Sequence, residues 1–275
     1  MNKQYIMLDD GNKISYMTYG KGKKVVLFFH GLVGGAYISK DWKKEIEAKD
    51  ITLIAIERSG YGYSSKIKMK NISQWIPIAK QIAKQLKLSK VDLVGCSAGA
   101  PYAYATASAL EEIVEKVYIL GGVPSAYKGS VLKHYDTSNQ EAYKSFMTKP
   151  MNEIQEYYKK QLNDFKKYLK KDEDDYIEKT IDENLEQDCF GISQECKLQI
   201  ENWGMCLSEI KQPIFLHHAV NDEMVPYEAA KEMTNYLQNC SFEEIHINGD
   251  KVHISSISKA FLQILNVIGY NVSNR

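Results

Sequence analysis

The stretch Val91-Asp92-Leu93-Val94-Gly95-Cys96-Ser97-Ala98-Gly99-Ala100 decides the fold. It begins as a buried strand and passes through a Gly-x-Ser-x-Gly turn into a predicted helix. A serine at such a sharp corner stands out of the sheet in strained backbone geometry, and larger residues at Gly95 or Gly99 would collide with neighbouring elements. The corner also places the following backbone amides at a helix N-terminus, where they can face negative charge. The stretch therefore predicts that Ser97 is a nucleophile whose partners lie elsewhere in the chain.

Apolar runs recur along the chain with the spacing of an alternating strand-and-helix fold. Continuous apolar runs typical of central strands occupy residues 25–29, 51–56, 117–122 and 213–218, and a last strand is predicted over residues 241–247. Helical spacing is found over residues 40–49, 73–87 and 255–268. The turn Asp10-Gly11-Asn12 predicts a hairpin near the N-terminus. This pattern predicts an α/β fold with a doubly wound, mostly parallel sheet.

Residues 124–209 differ in character from the rest of the chain. They contain no strand-like apolar run and are rich in Lys, Glu, Asp and Tyr with helical spacing. We interpret this segment as a helical cap inserted into one α/β core that comprises residues 1–123 and 210–275. Within it, the run Asp172-Glu173-Asp174-Asp175 is interpreted as a solvated turn rather than as a metal site.

The overall composition argues against several functional classes. With 35 basic and 35 acidic residues the formal net charge is zero, so the charge does not favour binding to nucleic acid or to an anionic membrane. The N-terminus lacks the apolar core of a signal peptide, and no apolar run approaches the ~20 residues that span a bilayer. The 5 cysteines have no metal-ligand spacing and predict reduced thiols in a cytoplasmic protein. We expect no metal ion and no cofactor, and the oligomeric state stays open.

A nucleophilic serine needs a histidine base, and the base needs a carboxylate that fixes its tautomer. Ligand sites of α/β sheets lie at the carboxyl ends of the strands, so the partners of Ser97 should follow later strands. Asp222 follows the penultimate predicted strand, and His253 follows the last one. Glu223 is the alternative carboxylate. His246 is the alternative base, but we expect it to lie inside the last strand rather than beyond it.

The motifs around these residues resemble those of the α/β-hydrolase-fold superfamily, in particular its capped, lipase/esterase-like serine hydrolases. The resemblance covers nearly everything outside the cap and rests on His30-Gly31, Arg58-Ser59-Gly60-Tyr61-Gly62-Tyr63-Ser64 and Gly95-Cys96-Ser97-Ala98-Gly99-Ala100-Pro101-Tyr102. It implies that Ser97 is the nucleophile, His253 the general base and acid, and Asp222 the carboxylate that orients the histidine. It also implies an oxyanion hole formed by the backbone amides of Leu32 and Ala98.

The chain departs from the family pattern at three positions. Ala219 stands where the family usually has a glycine before the acid, and Val252 stands where a glycine often precedes the histidine. Glu57 replaces the usual aspartate ahead of Arg58. None of these changes removes a catalytic group, but the first two could shift the loops that carry Asp222 and His253.

A serine nucleophile with a histidine base suits acyl transfer to water, and we expect a small carboxylic ester with an apolar acyl or alcohol part as the substrate. Related haloalkane dehalogenases and epoxide hydrolases have aspartate at the position of Ser97. Aromatic side chains and flexible thioethers suit an adaptable apolar pocket wall. We expect Tyr157, Trp203, Met205 and Met224 to contribute to that wall.

Three alternative functions stay open on the sequence. A peptidase or amidase of the prolyl-aminopeptidase type is favoured by the helical cap, although the loop His30-Gly31-Leu32 lacks that group's usual Gly-Gly-Pro-Gly. An acyltransferase would need a dry site that admits an alcohol acceptor. A non-catalytic small-molecule receptor on the same fold would stay unlabelled by a fluorophosphonate probe.

Overall fold

An eight-stranded sheet forms the centre of the computed structural model, which describes residues 2–169 and 175–273. Its strands are β1 (Gln4–Met7), β2 (Lys13–Tyr19), β3 (Lys24–Phe29), β4 (Ile51–Ile56), β5 (Val91–Cys96), β6 (Val114–Leu120), β7 (Ile214–Ala219) and β8 (Cys240–Ile245). They lie in the order β1-β2-β4-β3-β5-β6-β7-β8. β2 is antiparallel to β1 and to β4, and the other neighbours are parallel. The predicted α/β fold with a mostly parallel sheet is therefore confirmed.

Helices cover both faces of this sheet. They are α1 (Lys40–Glu47), α2 (Trp75–Gln85), α3 (Ala100–Ala109), α4 (Gly129–Leu132), α5 (Thr137–Thr148), α6 (Met151–Lys166), α7 (Tyr176–Glu186), α8 (Phe190–Leu198), α9 (Tyr227–Glu232) and α10 (Val252–Ser273). The central strand β5 shows how the faces are filled. Leu93 packs in one apolar cluster with Trp75 of α2, and Val94 packs in a second cluster with Phe261 of α10. Side chains of β5 are thus buried on both faces, as its apolar sequence requires.

The segment between β6 and β7 is helical wherever the structure describes it. It carries α4 to α8, and its described residues, which stop at 169 and resume at 175, contain no strand. The interior of the segment has an apolar cluster of its own, in which Ile154 of α6 and Ile181 of α7 pack against Tyr61 of the core. Residues 172–174 of the acidic run lie outside the described residues, so the interpretation of that run stays a prediction. The division at residues 124 and 209 also stays a prediction.

Helix α10 bears on the expectation that no segment could span a membrane. By length and composition alone, the stretch Val252–Gly269 is long and apolar enough to span a membrane, and the sequence-based expectation did not identify it. One side of this helix is nevertheless buried against the sheet, where Phe261, Leu265 and Ile268 pack with strand residues. The structure therefore accounts for this apolar character by packing in the protein core.

Two boundaries near the C-terminus differ from those predicted. The last strand ends at Ile245 because β7, its neighbour in the sheet, ends at Ala219, which is the partner of Ile245 in the register. His246 is therefore beyond the strand, and the expectation that it lies inside the strand was wrong. The final helix begins at Val252 rather than at Ser255, so His253 lies in its first turn.

Candidate active site

Ser97 occupies the sharp turn between β5 and α3. Its φ angle is +50°, in the left-handed region that a residue with a Cβ rarely adopts. A Cβ atom added at Gly95 would lie 2.9 Å from the Cβ of Ala103, and one at Gly99 would lie 2.2 Å from the carbonyl oxygen of Phe29. Both positions therefore need glycine because the turn packs directly on α3 and on the end of β3. This explains the spacing of the Gly-x-Ser-x-Gly motif.

Ser97, His253 and Asp222 form a continuous chain of hydrogen-bonding groups. The Oγ atom of Ser97 lies 3.0 Å from Nε2 of His253, and Nδ1 of the same ring lies 2.7 Å from Oδ2 of Asp222. Because a carboxylate can only accept, Nδ1 carries the proton and the neutral ring has its free electron pair on Nε2, facing Ser97. The ring of His253 is buried, while Ser97 keeps partial exposure to solvent.

The turn after β7 holds Asp222 in place. Its Oδ1 atom accepts hydrogen bonds of 2.9 Å from the backbone amides of Met224 and Val225. Nε2 of His218 lies 2.9 Å from the carbonyl oxygen of Val225 and 3.6 Å from Oδ2 of Asp222. Burial alone would raise the pKa of Asp222, but the contact with His253 and the Val225 amide outweigh it and hold that pKa below its ordinary value. The carboxylate form is therefore favoured.

The two alternative residues lie outside this chain. Oε2 of Glu223 accepts a hydrogen bond of 3.1 Å from the backbone amide of His253, so it contacts the main chain and not the imidazole ring. The ring of His246 is 77% exposed, and its Nε2 atom lies 3.8 Å from Glu244. The structure thus brings Asp222 and His253 to Ser97, and neither alternative.

The loop after β3 passes beside Ser97. A Cβ atom added at Gly31 would lie 3.4 Å from Cβ of Ser97 and 4.0 Å from its Oγ, so the backbone of this loop passes beside the serine. The next residue, Leu32, packs with Ala98 and Val123 in a small apolar cluster. Among the described residues none accepts a hydrogen bond from the Leu32 amide. The assignment of Leu32 and Ala98 to an oxyanion hole stays a prediction.

The four predicted pocket residues lie in different surroundings. Trp203 is fully buried, with its ring centroid 6.2 Å from that of Tyr104, and Met205 packs partly buried against the same core cluster. Tyr157 is exposed on α6. Met224 is exposed and lies next to the turn that holds Asp222. Only Met224 is thus placed beside the site by a contact, and the pocket assignment stays a prediction.

The three departures from the family pattern are accommodated inside the protein. Ala219 and Val252 are buried in the apolar cluster on the α1 and α10 side of the sheet. Glu57 is also fully buried, and it accepts hydrogen bonds from Oγ of Ser15 at 2.5 Å and from Nζ of Lys3. The loops that follow Ala219 and precede His253 therefore bring the acid and the histidine into hydrogen-bonding distance despite these changes.

Two carboxylates that the sequence analysis missed are buried where the helical segment meets the core. Glu183 of α7 contacts Lys3, and Glu195 of α8 contacts Arg58. Glutamate is rarely buried unless it is paired, so helical spacing alone assigns such residues to a solvated face. The signal that could have indicated one pair is Arg58, which is the only arginine before the C-terminal residue. Within the described ranges, no cluster of three or more side chains is suited to hold a metal ion.

A family model described as the alpha/beta hydrolase fold matches residues 24–254. No curated protein sequence matches the chain. Among solved structures, an esterase from Exiguobacterium antarcticum is similar at 18% identity with a TM-score of 0.75, over 97% of this chain and 99% of the other. A bromoperoxidase from Bacillus anthracis is similar at 20% identity with a TM-score of 0.68, also over 97% and 99%.

A third similar structure comes from a set of epoxide hydrolases found in metagenomes from hot environments, at 15% identity with a TM-score of 0.65, over 98% of both chains. At these identities the solved structures show a shared fold, and their printed activities differ from one another. The choice between those activities therefore depends on the residues of the site itself.

Proposed function

This chain belongs to the α/β hydrolase fold family, and we propose that it is a serine hydrolase that cleaves a small carboxylic ester through an acyl-enzyme. The observation that carries the proposal is the hydrogen-bonded chain from Oγ of Ser97 through the imidazole of His253 to Asp222. Each group has the environment that its role requires, because the serine is partly exposed, Nε2 of the imidazole lies within hydrogen-bonding distance of it, and the acid favours its charged form.

The reaction follows from this arrangement in two halves. In the first, Nε2 of His253 takes the proton of Ser97 while Oγ attacks the ester carbonyl carbon, and the same proton then passes to the departing alcohol. The carboxylate of Asp222 stabilises the imidazolium that forms in between. In the second half a water molecule attacks the acyl-enzyme, gives its proton to His253 and releases the acid, while Ser97 regains its proton.

The negative charge on the carbonyl oxygen needs two donors that are in place before the reaction. The proposed donors are the backbone amides of Leu32, in the loop beside Ser97, and of Ala98, at the start of the turn into α3. The unpaired state of the Leu32 amide among the described residues supports this role. Loss of one such donor in other enzymes lowers kcat by about 10²- to 10³-fold.

The segment 124–209 is proposed as a cap over a core of residues 1–123 and 210–275. Its helices lie in the chain between β6 and β7. These two strands are neighbours in the sheet and lie between β5, which precedes Ser97, and β8, which precedes His253. We propose that Tyr157, Trp203, Met205 and Met224 line the substrate pocket, and the position of Met224 beside Asp222 gives it the strongest support. The five cysteines are all free, which supports work in the reducing cytoplasm.

The test is labelling of the purified protein with a fluorophosphonate, together with hydrolysis of a panel of short-chain aryl esters, thioesters and amides. We expect labelling of the wild type, fastest turnover of the esters, and loss of both in Ser97→Ala. Cys96→Ala is the matched control, because this neighbouring thiol is buried, so that its pKa is raised, and it should retain labelling.

The proposal fails if Ser97→Ala hydrolyses the esters as well as the wild type does. A wild type that stays unlabelled and inactive would indicate a non-catalytic receptor. Faster turnover of amides would favour the peptidase alternative, and transfer of the acyl group to an added alcohol in preference to water would favour an acyltransferase.

A further inference from the structure

The peptide unit between Gly31 and Leu32 carries the N–H group that the proposed function assigns to the oxyanion hole. In a trans peptide the N–H and the C=O point in opposite directions, and the described residues contain no cis peptide. Whatever holds the carbonyl oxygen of Gly31 therefore also determines where the Leu32 N–H points. The backbone at Gly31 passes beside Ser97, so the direction of this N–H decides whether it can reach the reacting oxygen.

Two side-chain donors contact the carbonyl oxygen of this peptide unit. Nδ1 of His30 lies 2.8 Å from the carbonyl oxygen of Gly31, and Nη2 of Arg58 donates to the same oxygen at 3.2 Å. In the next peptide unit, the hydroxyl of Tyr61 donates to the carbonyl oxygen of Leu32 at 2.8 Å. Because a carbonyl can only accept, Nδ1 of His30 carries its proton. Burial and the neighbouring Arg58 charge lower the pKa of His30 well below its ordinary value, so this ring is neutral.

Arg58 is itself fixed by a residue of the helical segment. Its Nε and Nη2 atoms donate to the two carboxylate oxygens of Glu195 in α8, at 2.5 Å and 2.7 Å, and its Nη1 atom donates to the carbonyl oxygen of His30. The guanidinium also lies over the rings of Tyr61 and Tyr102, at 5.1 Å and 4.8 Å from their centroids. Both members of the ion pair are almost completely buried. Because the donors of a guanidinium are fixed in one plane, the carbonyl groups that they bind have little freedom to reorient.

We propose that Arg58 is a positioning residue that aims the Leu32 amide at the reacting oxygen, and that Glu195 of α8 holds Arg58 in the orientation this requires. The inference rests on the proposed serine hydrolase function and adds to it a support for the oxyanion hole that comes from residues 124–209. Arg58 touches no substrate atom in this role. It acts through the 31–32 peptide unit, and its loss should lower kcat more than it changes KM.

The decisive variant is the double substitution Arg58→Met/Glu195→Met. Removing both charges avoids a buried charge without a partner, and apolar replacement of a buried ion pair often leaves stability little changed. The Gly31 carbonyl then keeps only the His30 donor. We expect kcat for a short-chain aryl ester to fall roughly 10²-fold, with KM changed less than about 3-fold. Inhibition by an aryl boronic acid, whose tetrahedral adduct with Ser97 places an oxygen in the same hole, should weaken in parallel with kcat.

The matched control is Gln194→Met. Gln194 precedes Glu195 on α8 and is also buried, but it binds the backbone of Met69 and Ile67 rather than the loop beside the serine. We expect this variant to keep kcat and boronate inhibition within about 2-fold. Equal losses in this control and in the double variant would overturn the proposal, because any weakening of the α8 contact would then suffice. So would wild-type kcat in the double variant.

Arg58→Lys provides a second measurement if the double variant does not fold. A lysine ammonium can pair with Glu195 but cannot bind both carbonyls of the loop at once, so we expect kcat to fall about 10-fold at near-normal thermal stability. Unchanged kcat in this variant overturns the proposal. Failure of the proposed function is seen separately, because it requires that the wild type be inactive or that Ser97→Ala stay active.

Discussion

The sheet and the helical segment 124–209 bring groups to the site by different physical means. Ser97 and Asp222 follow β5 and β7, which pack in apolar clusters on both faces, and His253 follows the edge strand β8, so their positions depend on strand register and on close contact of backbone atoms. The helical segment is joined to the core by the apolar cluster around Tyr61, by apolar residues such as Leu198 and Trp203 that pack in the main core cluster, and in addition by several polar contacts. These polar contacts include Arg58–Glu195, Lys3–Glu183, Asn184–Gly34 and Gln187–Gly62.

The difference matters for how each region responds to change. Apolar packing has no direction and does not change with pH, so the sheet side should depend on volume and on backbone geometry. Buried ion pairs are directional, and a change in the charge of one partner is destabilising because it leaves the other charge buried without compensation. We therefore expect substitutions in the apolar packing of the sheet to act through geometry, and substitutions of the charged contacts of the helical segment to act through charge and pH.

The largest expected effect is on the sheet side, in Asp222→Asn. The amide nitrogen of asparagine would donate to Nδ1 of His253, which moves the ring proton to Nε2 and prevents it from accepting the proton of Ser97. A comparable change in a serine protease lowers kcat about 10⁴-fold with the geometry intact, and we expect a loss of this order here. The measurement is kcat for a short-chain aryl ester, with a thermal melt to show that the variant is folded.

The matched variant for this test is Glu223→Gln, because Glu223 contacts only the backbone of His253 within the described residues. We expect kcat to fall less than about 5-fold, since a glutamine oxygen can still accept that hydrogen bond. If Glu223→Gln lost more activity than Asp222→Asn, the carboxylate of the site would be Glu223, and strand position would be a poorer guide to the acid than we argue.

A second prediction concerns the backbone contact under the serine turn. In Gly99→Ala the new Cβ would lie 2.2 Å from the carbonyl oxygen of Phe29, which belongs to a central strand and cannot move away cheaply. We expect the free energy of unfolding, measured with urea, to fall by about 3 kcal/mol. Gly129→Ala is the control, because a Cβ there meets no atom within 4 Å and alanine favours the helix. If Gly99→Ala were as stable as the wild type, close backbone packing would not be what holds the turn at Ser97 in place.

The same difference explains how much the sequence could predict. The fold, Ser97 and the chain order of the acid and the histidine follow from local patterns, because an apolar run marks a strand and the next polar residue lies at its carboxyl end. The end of β8 was misplaced because it depends on the length of β7, which is a property of another segment. Glu195 was missed because nothing near it in sequence indicates a partner, and Arg58 lies 137 positions away.

Lys3 shows the same limit at the N-terminus. Its ammonium is buried between the carboxylates of Glu57 and Glu183 and lies over the rings of Tyr37 and Tyr63. A lysine in the first residues of a chain is ordinarily assigned to solvent. Here it joins the N-terminal strand and the loop after β4 to α7, so this cluster is a second charged contact between the core and the helical segment.

The smallest expected effect, and the most direct test of the charged contacts, is the pH dependence of stability at Glu183. Burial, and then the nearby charge of Glu57, raise the pKa of this carboxyl to about 7. A carboxyl whose pKa is raised in the folded state binds more protons there than in the unfolded state, so its stabilising contribution is present below its ordinary pKa and is lost as the pH rises towards 7. In Glu183→Gln this contribution no longer changes with pH.

We therefore expect the wild type to lose on the order of 1 kcal/mol of unfolding free energy between pH 5 and pH 8 through this group, and Glu183→Gln to lose correspondingly less. Urea unfolding at several pH values across this range measures the slope. Glu186→Gln, an exposed substitution on the same helix, is the control and should keep the wild-type slope. Parallel slopes in Glu183→Gln and the wild type would mean that the charged contacts of the helical segment respond to pH no more than the apolar sheet does. The difference between the two regions would then depend on Arg58 and Glu195 alone.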